Sequence, residues 1–123
     1  MGDRILVMDD EKAILISFRQ MLRSPTLQVD TAETIEDAEK LLKESTYRAV
    51  IADLRLTGIL GEEGLELIRY VRDQNIDTKV ILVTGYGSPE IKEKALRIGA
   101  ADYFEKPVDV KLLREALLKL GAS

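Results

Sequence analysis

Four short apolar runs, each ending in a polar group, restrict this chain more than any other feature. Val50-Ile51-Ala52 stops on Asp53, Ile5-Leu6-Val7-Met8 on Asp9-Asp10, Val80-Ile81-Leu82-Val83 on Thr84, and Tyr103-Phe104 on Glu105-Lys106-Pro107. Apolar runs of this length read as strands buried on both faces, the kind found inside a parallel sheet. Such sheets carry their chemistry just beyond the carboxyl ends of the strands. If the runs lie side by side, three carboxylates (Asp9, Asp10, Asp53), the Thr84 hydroxyl and the Lys106 ammonium meet at one edge.

The segments between them have helical spacing. After Asp9-Asp10-Glu11, the residues Ile14, Phe18, Met21 and Leu22 form one apolar stripe, which Ser24-Pro25 ends. Residues 27–32 alternate as a half-exposed edge strand. Thr34 is placed to cap a second helix, with Asp37 as the acidic member of a capping box and Ile35, Ala38, Leu41 and Leu42 as its buried face. A loop from Thr57 to Gly64, with three glycines, leads to a third helix marked by Leu65, Ile68 and Val71. Ser88-Pro89 opens a fourth, anchored only by Ile91, Ala95 and Ile98 and ended by Gly99. Asp109 caps a fifth, bearing Leu113, Ala116, Leu117 and Leu120. The other strands are expected at residues 4–8, 49–53, 79–84 and 101–105.

Five strands alternating with five helices predict an α/β fold, a doubly wound five-stranded parallel sheet covered on both faces. Right-handed crossovers favour the order 2-1-3-4-5 of a flavodoxin-like three-layer sandwich. That order makes strands one and three neighbours and sets Asp9 and Asp10 beside Asp53. The 123 residues fit a single domain, expected over 1–123 with no output domain in the chain.

Composition narrows the function classes. A net charge of −4 argues against direct binding to nucleic acid or an anionic membrane. With no cysteine there is no disulfide or thiolate site, and a reducing, cytoplasmic setting is expected. With no histidine the chain cannot itself be a phosphohistidine donor or a His-ligated metalloenzyme. No apolar run is long enough to span a bilayer.

Three carboxylates at one edge repel one another, at about 4 kcal/mol for a pair 4 Å apart at an effective dielectric near 20. A cation must sit among them, or one must stay protonated. An all-oxygen donor set suits a hard divalent ion, Mg²⁺ rather than Zn²⁺. Mg²⁺ held by carboxylates also binds phosphate oxygens, so the edge suits phosphoryl chemistry, with Lys106 and Thr84 left to contact the other oxygens. Asp53, at the mouth of the central strand, can act as a nucleophile and form an acyl phosphate.

Asp9-Asp10 after the first strand, Asp53 after the third, Thr84-Gly85 after the fourth and Lys106-Pro107 after the fifth resemble the receiver domain of two-component response regulators. The resemblance covers nearly the whole chain. It implies that Asp53 accepts a phosphoryl group from a histidine kinase or a histidine phosphotransfer protein, and that the chain signals rather than turns over a substrate. Asp10 and Asp53 would bind Mg²⁺ (or Mn²⁺) directly, Asp9 through water, with the Arg55 backbone carbonyl as a further ligand. Lys106 would pair with the phosphoryl group and Thr84 hydrogen-bond to it, while Tyr103 matches the family's switch aromatic. The output would pass through the fourth helix, fifth strand and fifth helix to a partner, an output domain or a phosphorylation-dependent homodimer. A cis bond before Pro107 is also expected. The family usually has Pro where Thr57 stands and a shorter loop than Thr57 to Gly64. Arg55 and Tyr86, two residues beyond Asp53 and Thr84, lie where members differ in phosphate lifetime.

Taken singly, each signal has a bland origin. Acidic pairs favour helix starts, Asp after a strand is commonly a turn residue, and an aromatic in a strand is commonly core. Their order along the chain carries the reading. Mg²⁺ phosphatases that use an aspartyl phosphate place a second acid where this chain has Arg55. A phosphorylation-independent interaction domain would not need the acids, Thr84 and Lys106 together. A flavin site wants a hydroxyl- and glycine-rich loop where Asp9-Asp10-Glu11 stands.

Overall fold

The structure, a computed structural model, describes residues 3–53, 63–74, 77–85 and 89–121, with the backbone alone for residues 53, 63 and 64. Strands β1 (Asp3–Met8), β2 (Leu27–Ala32), β3 (Ala49–Asp53), β4 (Lys79–Thr84) and β5 (Asp102–Glu105) alternate with helices α1 (Lys12–Leu22), α2 (Ile35–Glu44), α3 (Glu63–Asp73), α4 (Pro89–Ile98) and α5 (Val110–Lys119). The strands form one sheet in the order β2-β1-β3-β4-β5. All its pairings are parallel, so the expected doubly wound fold is what the chain adopts.

Alternation along the strands divides the interior into two cores. Leu6, Met8, Val50, Ala52, Val80, Leu82 and Tyr103 face one side, where they pack with residues of α2, α3 and α4. Ile5, Val7, Ala49, Ile51, Ile81 and Val83 face the other, against Leu15, Phe18 and Leu22 of α1 and Leu113, Ala116 and Leu117 of α5. Strands apolar on both faces are stable only between two helical layers, which is why the runs read from the sequence end up central. β2 lies at the edge, with Gln28 exposed and Leu27 and Val29 buried.

Three helix ends are built as the sequence suggests. The Thr34 side chain accepts from the Asp37 N–H at 3.1 Å. The Asp109 carboxylate accepts from the Lys111 N–H at 2.9 Å. Gly99 closes α4 at φ +123°, a conformation that side-chain-bearing residues rarely adopt. α1 departs from expectation: Leu15 supplies the buried position, and Met21, read as part of the stripe, is 37% exposed. The spacing Leu15, Phe18, Leu22 is the tighter i, i+3, i+7 match to a single helical face. α3 buries Leu67 in addition to the three residues read for it. α4 is as thinly anchored as expected, since only Ala95 is fully buried. The Thr57–Gly64 loop, apart from the backbone of its last two residues, and Ser88 lie outside the described residues. Among the described residues no helix is long and apolar enough to cross a membrane.

Candidate functional site

Register fixes what meets at the carboxyl edge of the sheet. Met8 pairs with Ala52, so Asp9 and Asp53 are each the next residue on adjacent strands. Asp53 pairs with Val83, which places Thr84 one step further out on β4. Thr84 pairs with Glu105, and Lys106 follows. Neighbouring strands lie about 4.8 Å apart, so these residues occupy one row across the mouth of the sheet.

Asp9 is buried, its side chain wholly shielded from solvent. Its Oδ1 accepts the backbone N–H of Glu11 at 2.9 Å, which ties the carboxylate to the start of α1. Its Oδ2 accepts from the Lys106 ammonium at 3.5 Å. Burying a carboxylate without a partner is costly, and the N–H and the ammonium offset that cost at Asp9. Asp10, the next residue, is exposed at the rim.

Lys106 belongs to β5's end and Asp9 to β1's, with β4 and β3 between them. The lysine side chain therefore runs across the mouths of the two central strands to reach its partner. Gly85 lies beneath this path: a Cβ built there would stand 3.8 Å from Lys106 Cδ and 3.9 Å from its Cβ. The Lys106 backbone is held as well, its N–H donating to the Thr84 carbonyl at 2.8 Å. The Lys106–Pro107 peptide bond is cis, as the resemblance implied. Thr84 is fully buried.

Tyr103 sits on the face of β5 that packs against α4, its ring buried in the core. Lys92 of α4 places its ammonium 6.0 Å from the ring centroid, the outer range of a cation–π contact. The Tyr103 hydroxyl is buried with no hydrogen-bond partner among the described residues. Burial, and secondarily the Glu105 charge, push its pKa above the ordinary phenol value.

Asp9, Thr84 and Lys106 thus come together with the backbone of Asp53, and Asp10 borders them. Among the described residues no three acids cluster closely enough to hold a metal; the third member of the expected set, Asp53, is described by its backbone alone. Arg55 and Tyr86 lie outside the described residues. Sequence reading missed one contributor: the Glu11 N–H acts through its backbone, which no side-chain pattern reveals.

The fold and this edge define a class, the open α/β domains that work at the carboxyl ends of parallel strands. The chain belongs to the response regulator receiver domain family, whose model matches residues 5–118. It is 38% identical over 117 residues to the alginate biosynthesis transcriptional regulatory protein AlgB of Pseudomonas putida, covering 94% of this chain and 25% of that protein. It spans 24% to 63% of the length of such curated relatives. A CheY-like receiver domain protein from Methanospirillum hungatei superposes with a TM-score of 0.84 at 31% identity, over 98% of this chain and 95% of that one. A Burkholderia pseudomallei response regulator, solved with a phosphorylated aspartic acid, a calcium ion and citrate, superposes at 0.82 and 28% identity, over 94% of this chain and 66% of that one. The chain is therefore a receiver domain of two-component signalling, a family that works with sensor kinases and output domains.

Proposed function

We propose that Asp53 is the phosphoacceptor. An Asp53 carboxylate oxygen attacks the phosphorus of a phosphohistidine on a sensor kinase or phosphotransfer protein. The new P–O bond forms as the P–N bond breaks, and the imidazole leaves carrying the electron pair and takes up a proton. The observation that carries this reading is the Lys106–Asp9 pair, which holds an ammonium across the mouth of the strand that ends in Asp53.

The donor set fits Mg²⁺, or Mn²⁺ in its place. A buried carboxylate, Asp9, and an exposed one, Asp10, adjoin the end of β3, and every available donor is an oxygen. Asp10, Asp53 and the Arg55 carbonyl would hold the ion, with Asp9 helping through water. Bound there it would offset charge on the transferring phosphoryl oxygens. The chain's own groups do the rest. Lys106 exchanges part of its bond to Asp9 for a phosphoryl oxygen, and the Thr84 hydroxyl donates to another. Tyr103, already inward, packs into the space that Thr84 vacates. These contacts exist only in the phosphorylated state, so they bias a pre-existing equilibrium of the α4–β5–α5 face toward a form that an output domain, a partner or a second copy reads. Arg55 and Tyr86 slow hydrolysis by crowding the path of attacking water; faster dephosphorylation in Arg55→Ala/Tyr86→Ala is the expected sign.

The test is incubation with a small phosphodonor and Mg²⁺, read by intact-mass spectrometry. One labile phosphoryl group that is lost in Asp53→Asn supports the switch. Rapid multiple turnover of phosphate esters would instead indicate a phosphatase, and no modification a phosphorylation-independent interaction module.

A further inference from the structure

The opposite end of the sheet has chemistry that the receiver function does not use. The start of β1, the last turn of α1, the turn into β2 and the segment before β3 enclose a cleft of about 850 Å³. Among the described residues four arginines and no lysine line it: Arg4, Arg19, Arg23 and Arg48. Among the described residues two carboxylates, Asp3 and Asp77, line it with them and a third, Asp30, pairs with Arg4, which leaves an excess of one positive charge on a chain whose net charge is −4. Like charges brought together at one place ask for a counter-ion, as the acids do at the other edge.

The four arginines are not equivalent. Arg4 is fixed by Asp30 Oδ2 at 3.7 Å and by Gln28 Oε1 at 3.4 Å. Arg48 is fixed by Asp3 Oδ1 at 3.4 Å, with its guanidinium beside Gly121. Arg19 and Arg23, both exposed, have no ion pair among the described residues. A cation at the C-terminal end of a helix is favourable, which explains Arg19 in the last turn of α1 and Arg23 at its C-cap, but not Arg4 of β1 and Arg48 just before β3. Guanidinium forks are suited to oxyanions in a way that ammonium groups are not, since each offers two parallel N–H donors.

We propose that this cleft binds a small ligand carrying two oxyanion groups, phosphates or carboxylates. Arg19 and Arg23 grip one group, and Arg48, already oriented by Asp3, meets the other. The volume lies in the usual range for small-molecule sites. The site is independent of Asp53 chemistry and lies a full strand length from it.

The test is a titration of the whole chain with inorganic pyrophosphate, without Mg²⁺, followed by amide NMR shifts. Saturable shifts at Arg19, Arg23, Thr26 and Arg48 are expected. Shifts confined to Thr84, Gly85 and Lys106, or none at all, would overturn the proposal. Arg19→Gln/Arg23→Gln, changed only at exposed positions, should weaken binding about tenfold or more. Lys40→Gln/Lys43→Gln on α2, which removes the same charge elsewhere, should leave it unchanged. Equal weakening in both pairs would reduce the effect to general electrostatics and refute the site. Repeating the titration with tricarballylate distinguishes phosphorylated from polycarboxylate ligands, either of which supports a site for paired oxyanions.

Discussion

Lys106 and Asp9 are ion-paired at 3.5 Å although their strands, β5 and β1, stand at opposite sides of β4 and β3. The Asp9 side chain is wholly buried, while that of Lys106 is 26% exposed. Removing the cation leaves a buried carboxylate whose remaining partner among the described residues is the Glu11 N–H. Lys106→Met should therefore lower stability by about 1–3 kcal/mol, less than for a fully buried pair because water can reach the lysine side. Asp9→Asn/Lys106→Met should recover part of that loss, since the stranded charge is gone. Denaturant unfolding of the three variants checks this. If the site takes Mg²⁺ as proposed, the ion should raise the melting temperature of Lys106→Met more than that of the unaltered chain, because it replaces the missing charge.

Thr84 is buried at the edge of the row, and its carbonyl holds Lys106 through a 2.8 Å bond that any residue could make. The hydroxyl is what separates Thr from Val at this position. Thr84→Val keeps the volume but not the hydroxyl and should still fold, with a stability loss of about 0.5–1.5 kcal/mol, the net worth of one hydrogen bond. It should still be phosphorylated on Asp53, but the NMR shifts that phosphorylation produces in α4, β5 and α5 should shrink to those near Asp53. Full-sized shifts in the variant would show that Thr84 does not relay the signal.

The order of the sheet and the row Asp9, Asp53, Thr84, Lys106 were legible because their signals are local. An unbroken apolar run, a polar stop and a crossover rule suffice, and the Thr34 and Asp109 caps follow from residue type and spacing. What escaped was long-range or carried by the backbone. Tyr47 stands in a stretch with no periodicity, yet it is buried because its ring fills the core while its hydroxyl reaches Asp30, 17 residues earlier. Leu15 and Met21 exchanged roles because a helix of mixed polarity offers two adjacent apolar stripes, and docking against the sheet selects one. The arginine cleft was invisible for the same reason: Arg4 and Arg48 join the pair at the end of α1 from other elements, and no run of basic residues marks them.

Tyr47 provides a pH signature. Its hydroxyl donates to Asp30 Oδ2 at 2.7 Å, and its backbone carbonyl accepts from the buried Thr78 hydroxyl at 2.7 Å. Burial, then the hydrogen bond to Asp30 and the Asp30 charge, push its pKa well above the ordinary value of 10.0. Ionisation is thus harder in the folded chain than in the unfolded one. Below pH 10 both states keep the phenol proton and the contribution is fully present. Above it the unfolded state releases the proton first, so stability falls as pH rises, by up to about 1.4 kcal/mol per unit for one group. Tyr47→Phe should cost about 1–3 kcal/mol at neutral pH and flatten the alkaline decline; a decline as steep as before would assign it to other groups.

Tyr103 should respond in the opposite sense. Its ring is buried like that of Tyr47, but its hydroxyl has no hydrogen-bond partner among the described residues. A hydroxyl desolvated without a partner costs roughly 1–3 kcal/mol, so Tyr103→Phe should leave stability unchanged or raise it by up to about that amount. The Lys92 ammonium, 6.0 Å from the ring centroid, would be kept, because a phenyl face attracts a cation as a phenol face does. The same substitution bears on the proposed switch. A hydroxyl that is poorly satisfied inward favours rotation toward solvent, so the phenylalanine variant should populate the inward state more before phosphorylation, and phosphorylation should then change the α4–β5–α5 face less. Denaturant unfolding reads the first effect and NMR of the α4 amides the second. A Tyr103→Phe protein that loses stability would show that the hydroxyl has a partner in solution and that the inward position is not strained.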